Sequence, residues 1–74
     1  MSQFPVLSGR DAVRVFAKLG YAVDHQTGSH IILRQNRPPY RRLTVPDHRE
    51  LAKGTLRALI RQAGLTAEAF RELL

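Results

Sequence analysis

Ala12, Val15, Phe16 and Leu19 recur at i, i+3, i+4 and i+7, which puts them on one face of a helix. Ser8-Gly9-Arg10-Asp11 stands ahead of them as an N-cap with a carboxylate three positions on, a variant of the capping box. Gly20 suits the position just past a helix end, where positive φ is needed. The spacing predicts a helix over residues 9–19. Beyond Gly20 the period falls to two. Residues 21–25 read as a first strand with Tyr21 and Val23 on one face. Gln26-Thr27-Gly28 suits a three-residue hairpin loop. A second strand follows, with Ile31 and Leu33 facing one way and His30, Ile32 and Arg34 the other. That loop pairs His25 with Ser29, Asp24 with His30, Val23 with Ile31 and Tyr21 with Leu33, so apolar residues oppose apolar ones on one side.

Asn36-Arg37-Pro38-Pro39 interrupts the pattern and reads as a loop. Residues 40–45 alternate again, with Leu43 and Val45 directed inward and Arg42 and Thr44 on the face of His30. Pro46-Asp47-His48 ends this third strand, and residues 49–53 carry no decisive pattern. A second helix begins near Gly54-Thr55, with Leu56, Leu59, Ile60 and Ala63 as its buried stripe and Gly64 as its stop. Thr66 caps a short final helix carrying Ala69, Phe70 and Leu73. These elements define an α+β domain: a three-stranded antiparallel sheet, order α-β-β-β-α(-α), with the first two helices on one face. The other face, with Ala22, Asp24, His30, Ile32, Arg34, Arg42 and Thr44, is left open as a binding surface.

Length adds one constraint. The chain has 74 residues, read as a single domain over 1–74 with a thin core. It contains no cysteine, which removes disulfides and thiolate metal sites and fits a reducing, cytoplasmic setting. No apolar run approaches membrane-spanning length, and the N-terminal stretch lacks the apolar core of a signal peptide. Charge is more informative. The net charge is +6, and all of it arises between Arg34 and Arg61: Arg34, Arg37, Arg41, Arg42, Arg49, Lys53, Arg57 and Arg61 against Asp47 and Glu50. A localised basic stripe on so small a domain predicts a polyanionic partner, nucleic acid or an acidic protein. Within it, Lys53, Arg57 and Arg61 are spaced by four and form a row on one helical face.

The histidines carry the candidate chemistry. An imidazole on an open basic surface can move protons at neutral pH, which phosphodiester cleavage in RNA requires. His30 is the candidate acid or base. Arg34 and Arg42 are candidates for holding the phosphate. Asp24, predicted across from His30, would orient that ring and favour its charged form. His25 has core-side parity and reads as a turn residue at the sheet rim, while His48 reads as structural; either could supply the second proton transfer, although neither taken singly is the expected one. The histidine spacings of five and eighteen match no standard zinc pattern, so no metal and no cofactor is expected. Lys53, Gly54 and Thr55 stand at a helix N-terminus, where free N–H groups attract phosphate or are simply capped.

Leu19-Gly20-Tyr21, Gly28-Ser29-His30, Val45-Pro46-Asp47-His48, Lys53-Gly54-Thr55-Leu56, Ile60-Arg61-Gln62-Ala63-Gly64-Leu65 and Phe70 stand in this order across nearly the whole chain. Each is weak alone; their order and spacing make the set specific. Together they resemble the HicA toxins, the small ribonucleases of HicA–HicB toxin–antitoxin pairs, and the element order resembles the double-stranded-RNA-binding fold. The resemblance implies an mRNA-cleaving endoribonuclease held inactive by a HicB-type antitoxin. It also implies that His30, in the Gly28-Ser29-His30 motif, is catalytic, and that the Lys53-Gly54-Thr55 region touches the RNA backbone. A non-catalytic RNA-binding module and a purely protein-binding domain are the competing readings of the same surface.

Overall fold

The computed structural model describes residues 5–74. The single-domain reading over 1–74 and the reading against an N-terminal signal segment both take in residues 1–4, which lie outside them. Six elements follow in the order α1 (Gly9–Ala17), β1 (Tyr21–Thr27), β2 (His30–Gln35), β3 (Arg42–Pro46), α2 (Lys53–Gln62) and α3 (Ala67–Glu72). The fold is α+β, with an antiparallel sheet of order β1-β2-β3.

Local chemistry fixes the helix ends. The Ser8 hydroxyl accepts from the Asp11 N–H at 3.0 Å, and the Asp11 carboxylate accepts from the Ser8 N–H at 3.1 Å, which completes a reciprocal capping box. Thr66 caps α3 by accepting from the Ala69 N–H. The helices bury their apolar stripes against one face of the sheet, where Ala12, Val15, Phe16, Leu56, Leu59, Ile60 and Phe70 meet Tyr21, Ile31, Leu33, Leu43 and Val45. Phe16 lies at the centre, with its ring 5.5 Å from that of Phe70 and 5.9 Å from that of Tyr21. Burying each such side chain contributes about 1.5–3 kcal/mol. Leu51, from the stretch that carried no sequence pattern, is also buried there.

The β1–β2 pairing departs from the expected register. Thr27 pairs with His30, so the loop has two residues, Gly28 and Ser29, with Gly28 at φ 56° in the first central position as a type II′ turn requires. At the tip, His25 pairs with Ile32 rather than Ser29, a shift of three residues. A β-bulge then takes up one residue between Val23 and His25, and Val23 pairs with Leu33, a shift of two. An even shift preserves a side chain's face and an odd shift reverses it. Tyr21 therefore stays in the core, whereas His25 moves to the open face. Asp24 sits in the bulge and does not pair with His30. Val23 keeps the inner face but remains 54% exposed, because β1 is an edge strand. It lines a surface cavity of about 280 Å³ with Arg10, Val13, Arg14, Gln26 and Ile31.

The third strand starts at Arg42, not at residue 40. Tyr40 takes φ 57° and donates its N–H to the Arg37 carbonyl, so it belongs to the turn before the strand. Among the described residues no helix is long and apolar enough to cross a membrane.

Candidate active site

Three cross-strand rungs make up the open face, because residues paired in register share a face. The first is Thr27–His30–Pro46, the second His25–Ile32–Thr44, and the third Ala22–Arg34–Arg42. Ile32 is half-buried; Ala22, His25, Thr27, His30, Arg34, Arg42 and Thr44 are exposed. The His30 ring stands clear of the core, as expected. Successive rungs are about 6.6 Å apart, twice the rise of a strand residue. Arg34 and Arg42 thus lie about 13 Å along the sheet from His30.

Asp24 serves a different histidine from the one expected. Its Oδ2 accepts from His25 Nδ1 at 2.8 Å. That hydrogen bond, then the charges of His25, Arg34 and Arg42, hold the Asp24 carboxyl below its ordinary value. An ionised carboxylate only accepts, so the Nδ1 of His25 carries the proton in this bond.

The turn that presents His30 is tied down from outside the hairpin. The Asp47 N–H donates to the Ser29 carbonyl at 2.6 Å. The Asp47 carboxylate accepts from Gln26 Nε2 at 3.2 Å and from Arg10 Nε and Nη2 at 3.2 and 3.3 Å. Gln26 also donates to the Gly28 carbonyl. Asp47 therefore links α1, the hairpin tip and the end of β3. The Arg10 hydrogen bond leads the causes that hold its carboxyl below the ordinary range. Sequence reasoning missed this role. The only signal was Asp47's place inside the Val45-Pro46-Asp47-His48 motif. The His48 carbonyl accepts the Gly9 N–H at 2.9 Å, a main-chain bond that does not involve the imidazole.

Lys53, Gly54, Thr55, Arg57 and Arg61 lie on α2, which packs on the inner face of the sheet. The charged members are exposed. Five of the eight cations of the basic stripe are thus divided between two surfaces: Arg34 and Arg42 on the open sheet face, and Lys53, Arg57 and Arg61 on the outside of α2. Ala52 caps α2 with no side-chain hydrogen bond, so the first N–H groups of the helix lack a side-chain partner. Gly54 has open space above its Cα and no positive φ, so the fold itself does not require glycine there.

A family model described as the HicA toxin of bacterial toxin-antitoxin matches residues 9–65. No curated protein gives a match.

Proposed function

The chain belongs to the HicA toxin family of bacterial toxin–antitoxin systems, and from that premise we propose that it is a metal-independent endoribonuclease that cleaves mRNA. The observation that carries the reading is the exposed His30 ring on an open, cationic sheet face, at the end of a turn restrained by Asp47. In metal-free cleavage a 2′-hydroxyl loses a proton and attacks the adjacent phosphorus, and the departing 5′-oxygen gains one. His30 supplies one of these transfers, worth about 10²–10⁴-fold in rate. Gly28 and Ser29 act through the turn: glycine permits the positive φ, and the Ser29 carbonyl takes the Asp47 N–H that fixes the strand's first residue.

Arg34 and Arg42 hold a neighbouring phosphate and orient the strand by bidentate, charge-assisted hydrogen bonds. The start of α2 offers a second backbone contact. Lys53 supplies charge, Gly54 lets a phosphate approach the main chain, and the N–H groups near Thr55 point outward with the positive end of the helix. Arg57 and Arg61 extend this row. The partner that silences the toxin is a HicB-type antitoxin covering the open face, and mRNA as substrate puts the reaction in the cytoplasm.

The test is inducible expression of wild type against His30→Ala, scored for growth arrest and mRNA integrity, with purified proteins incubated with labelled RNA. Wild type should cleave, and a folded His30→Ala should be slower by about 10²–10⁴-fold. Unchanged cleavage by that variant removes His30 from the mechanism. RNA retention without cleavage by wild type would leave a binding module.

A further inference from the structure

We propose that His25, oriented by Asp24 in the β1 bulge, is the second proton-transfer group of the site: it protonates the leaving 5′-oxygen while His30 takes the 2′-hydroxyl proton. This rests on the ribonuclease reading. Attacking and leaving oxygens stand roughly in line on opposite sides of the phosphorus. One imidazole therefore does not reach both in a single step, and a second group is needed a few ångströms from the first. Of the other side chains on the three rungs, only His25 is an imidazole, the group that can both hold and hand on a proton in this chemistry. It is the diagonal neighbour of His30, because His25 pairs with Ile32 and Thr27 pairs with His30. Diagonal neighbours in an antiparallel pair are about 7–8 Å apart, a span that two imidazoles close around one phosphate. The arginines are a rung further from His30.

The bulge creates this arrangement. Without the extra residue, one parity would hold along the whole strand, and His25 would share the inner face with Tyr21 and Val23. Asp24, the residue at the irregularity, turns its carboxylate onto His25 Nδ1. The bond fixes the ring and leaves Nε2, which makes no hydrogen bond among the described residues, as the atom available to substrate. A carboxylate on Nδ1 also compensates the positive charge that the ring carries as an acid. The imidazole stays 53% exposed, open to a polymer substrate. The groups facing it are Asp24 on its own strand, His30 and Arg34 on β2, and Arg42 on β3.

The step balances without a co-reactant. His30 accepts the 2′-hydroxyl proton as the 2′-oxygen–phosphorus bond forms. The phosphorus–5′-oxygen bond breaks, and the Nε2 proton of His25 passes to the 5′-oxygen. The products are a 2′,3′-cyclic phosphate and a 5′-hydroxyl. Asp24 is a positioning residue in this scheme.

The experiment uses the cleaved bond of a mixed-sequence RNA, mapped with wild type, and a second oligonucleotide with sulfur in place of that bond's 5′-oxygen. A thiolate departs without a proton. His25→Ala should cleave the oxygen substrate about 10²–10⁴-fold more slowly than wild type and the sulfur substrate at nearly the wild-type rate. Asp24→Asn should show a smaller loss with the same rescue. His30→Ala should be slow on both. Circular dichroism and His25→Gln separate misfolding from lost chemistry. Wild-type cleavage of the oxygen substrate by folded His25→Ala overturns the proposal, as does an equal loss on both substrates by folded His25→Ala and His25→Gln. Wild type inert toward RNA removes the ribonuclease reading itself, and this assignment with it.

Discussion

Gly9 has no room for a side chain. A Cβ added there would stand 1.9 Å from the Pro46 carbonyl oxygen and 3.3 Å from the Asp47 Cα. Both obstacles are backbone and cannot rotate away. Alanine normally favours a helix over glycine by about 1 kcal/mol. Here Gly9→Ala should instead destabilise the protein by about 1–3 kcal/mol, since α1 must back away from the end of β3. A urea or thermal unfolding curve checks the sign. The consequence reaches the site, because the peptide that Gly9 touches leads into Asp47. At this scale the sequence was partly legible. Gly9 was visible as a residue inside a capping box, and Asp11 behaved as that motif requires. The close approach to Pro46 was not visible, because it joins positions 37 residues apart.

Among elements, the β1–β2 hairpin depends on a residue that belongs to neither strand. Asp47 accepts from Arg10 of α1 and Gln26 of β1, and donates its backbone N–H to Ser29 in the turn. Hydrogen bonds, from Arg10 at Asp47 and from the Ser8 backbone at Asp11, hold both carboxyls below the ordinary carboxylate range; Asp24 is held low by His25. A carboxyl whose folded value is depressed contributes stability that is fully present above its unfolded value, near pH 4, and is lost as pH falls through the folded value. The melting temperature should therefore hold level from neutrality to about pH 5, then drop through and below pH 4. Asp47→Asn should make that drop shallower and lower the neutral melting temperature. A series of thermal melts from acid to neutral pH measures both. An identical acid profile for the variant would show that the link contributes nothing.

Over the whole molecule, five of the eight cations in the basic stretch divide between the open sheet face and the outside of α2. If the α2 row contacts RNA, charge reversal at Lys53 or Arg57 should weaken binding across sequences and lower the salt slope of log K by about 1 or more each. Filter binding at several salt concentrations reads this directly. Cleavage at saturating RNA should survive in both variants, since neither residue shares a face with His30.

Periodicity by itself determined the element order, the buried stripes and the exposed setting of His30. Phe16, Leu33, Leu56 and Phe70 repeat at helical or strand spacing because each must leave water, and that demand is written locally. The face of His25 was decided only in three dimensions. A two-residue turn suits the strand twist better than the three-residue loop, and a bulge on a free edge takes up the difference at little cost. No burial pattern marks an irregularity among exposed residues, so only the assembled sheet brought the second imidazole beside the first.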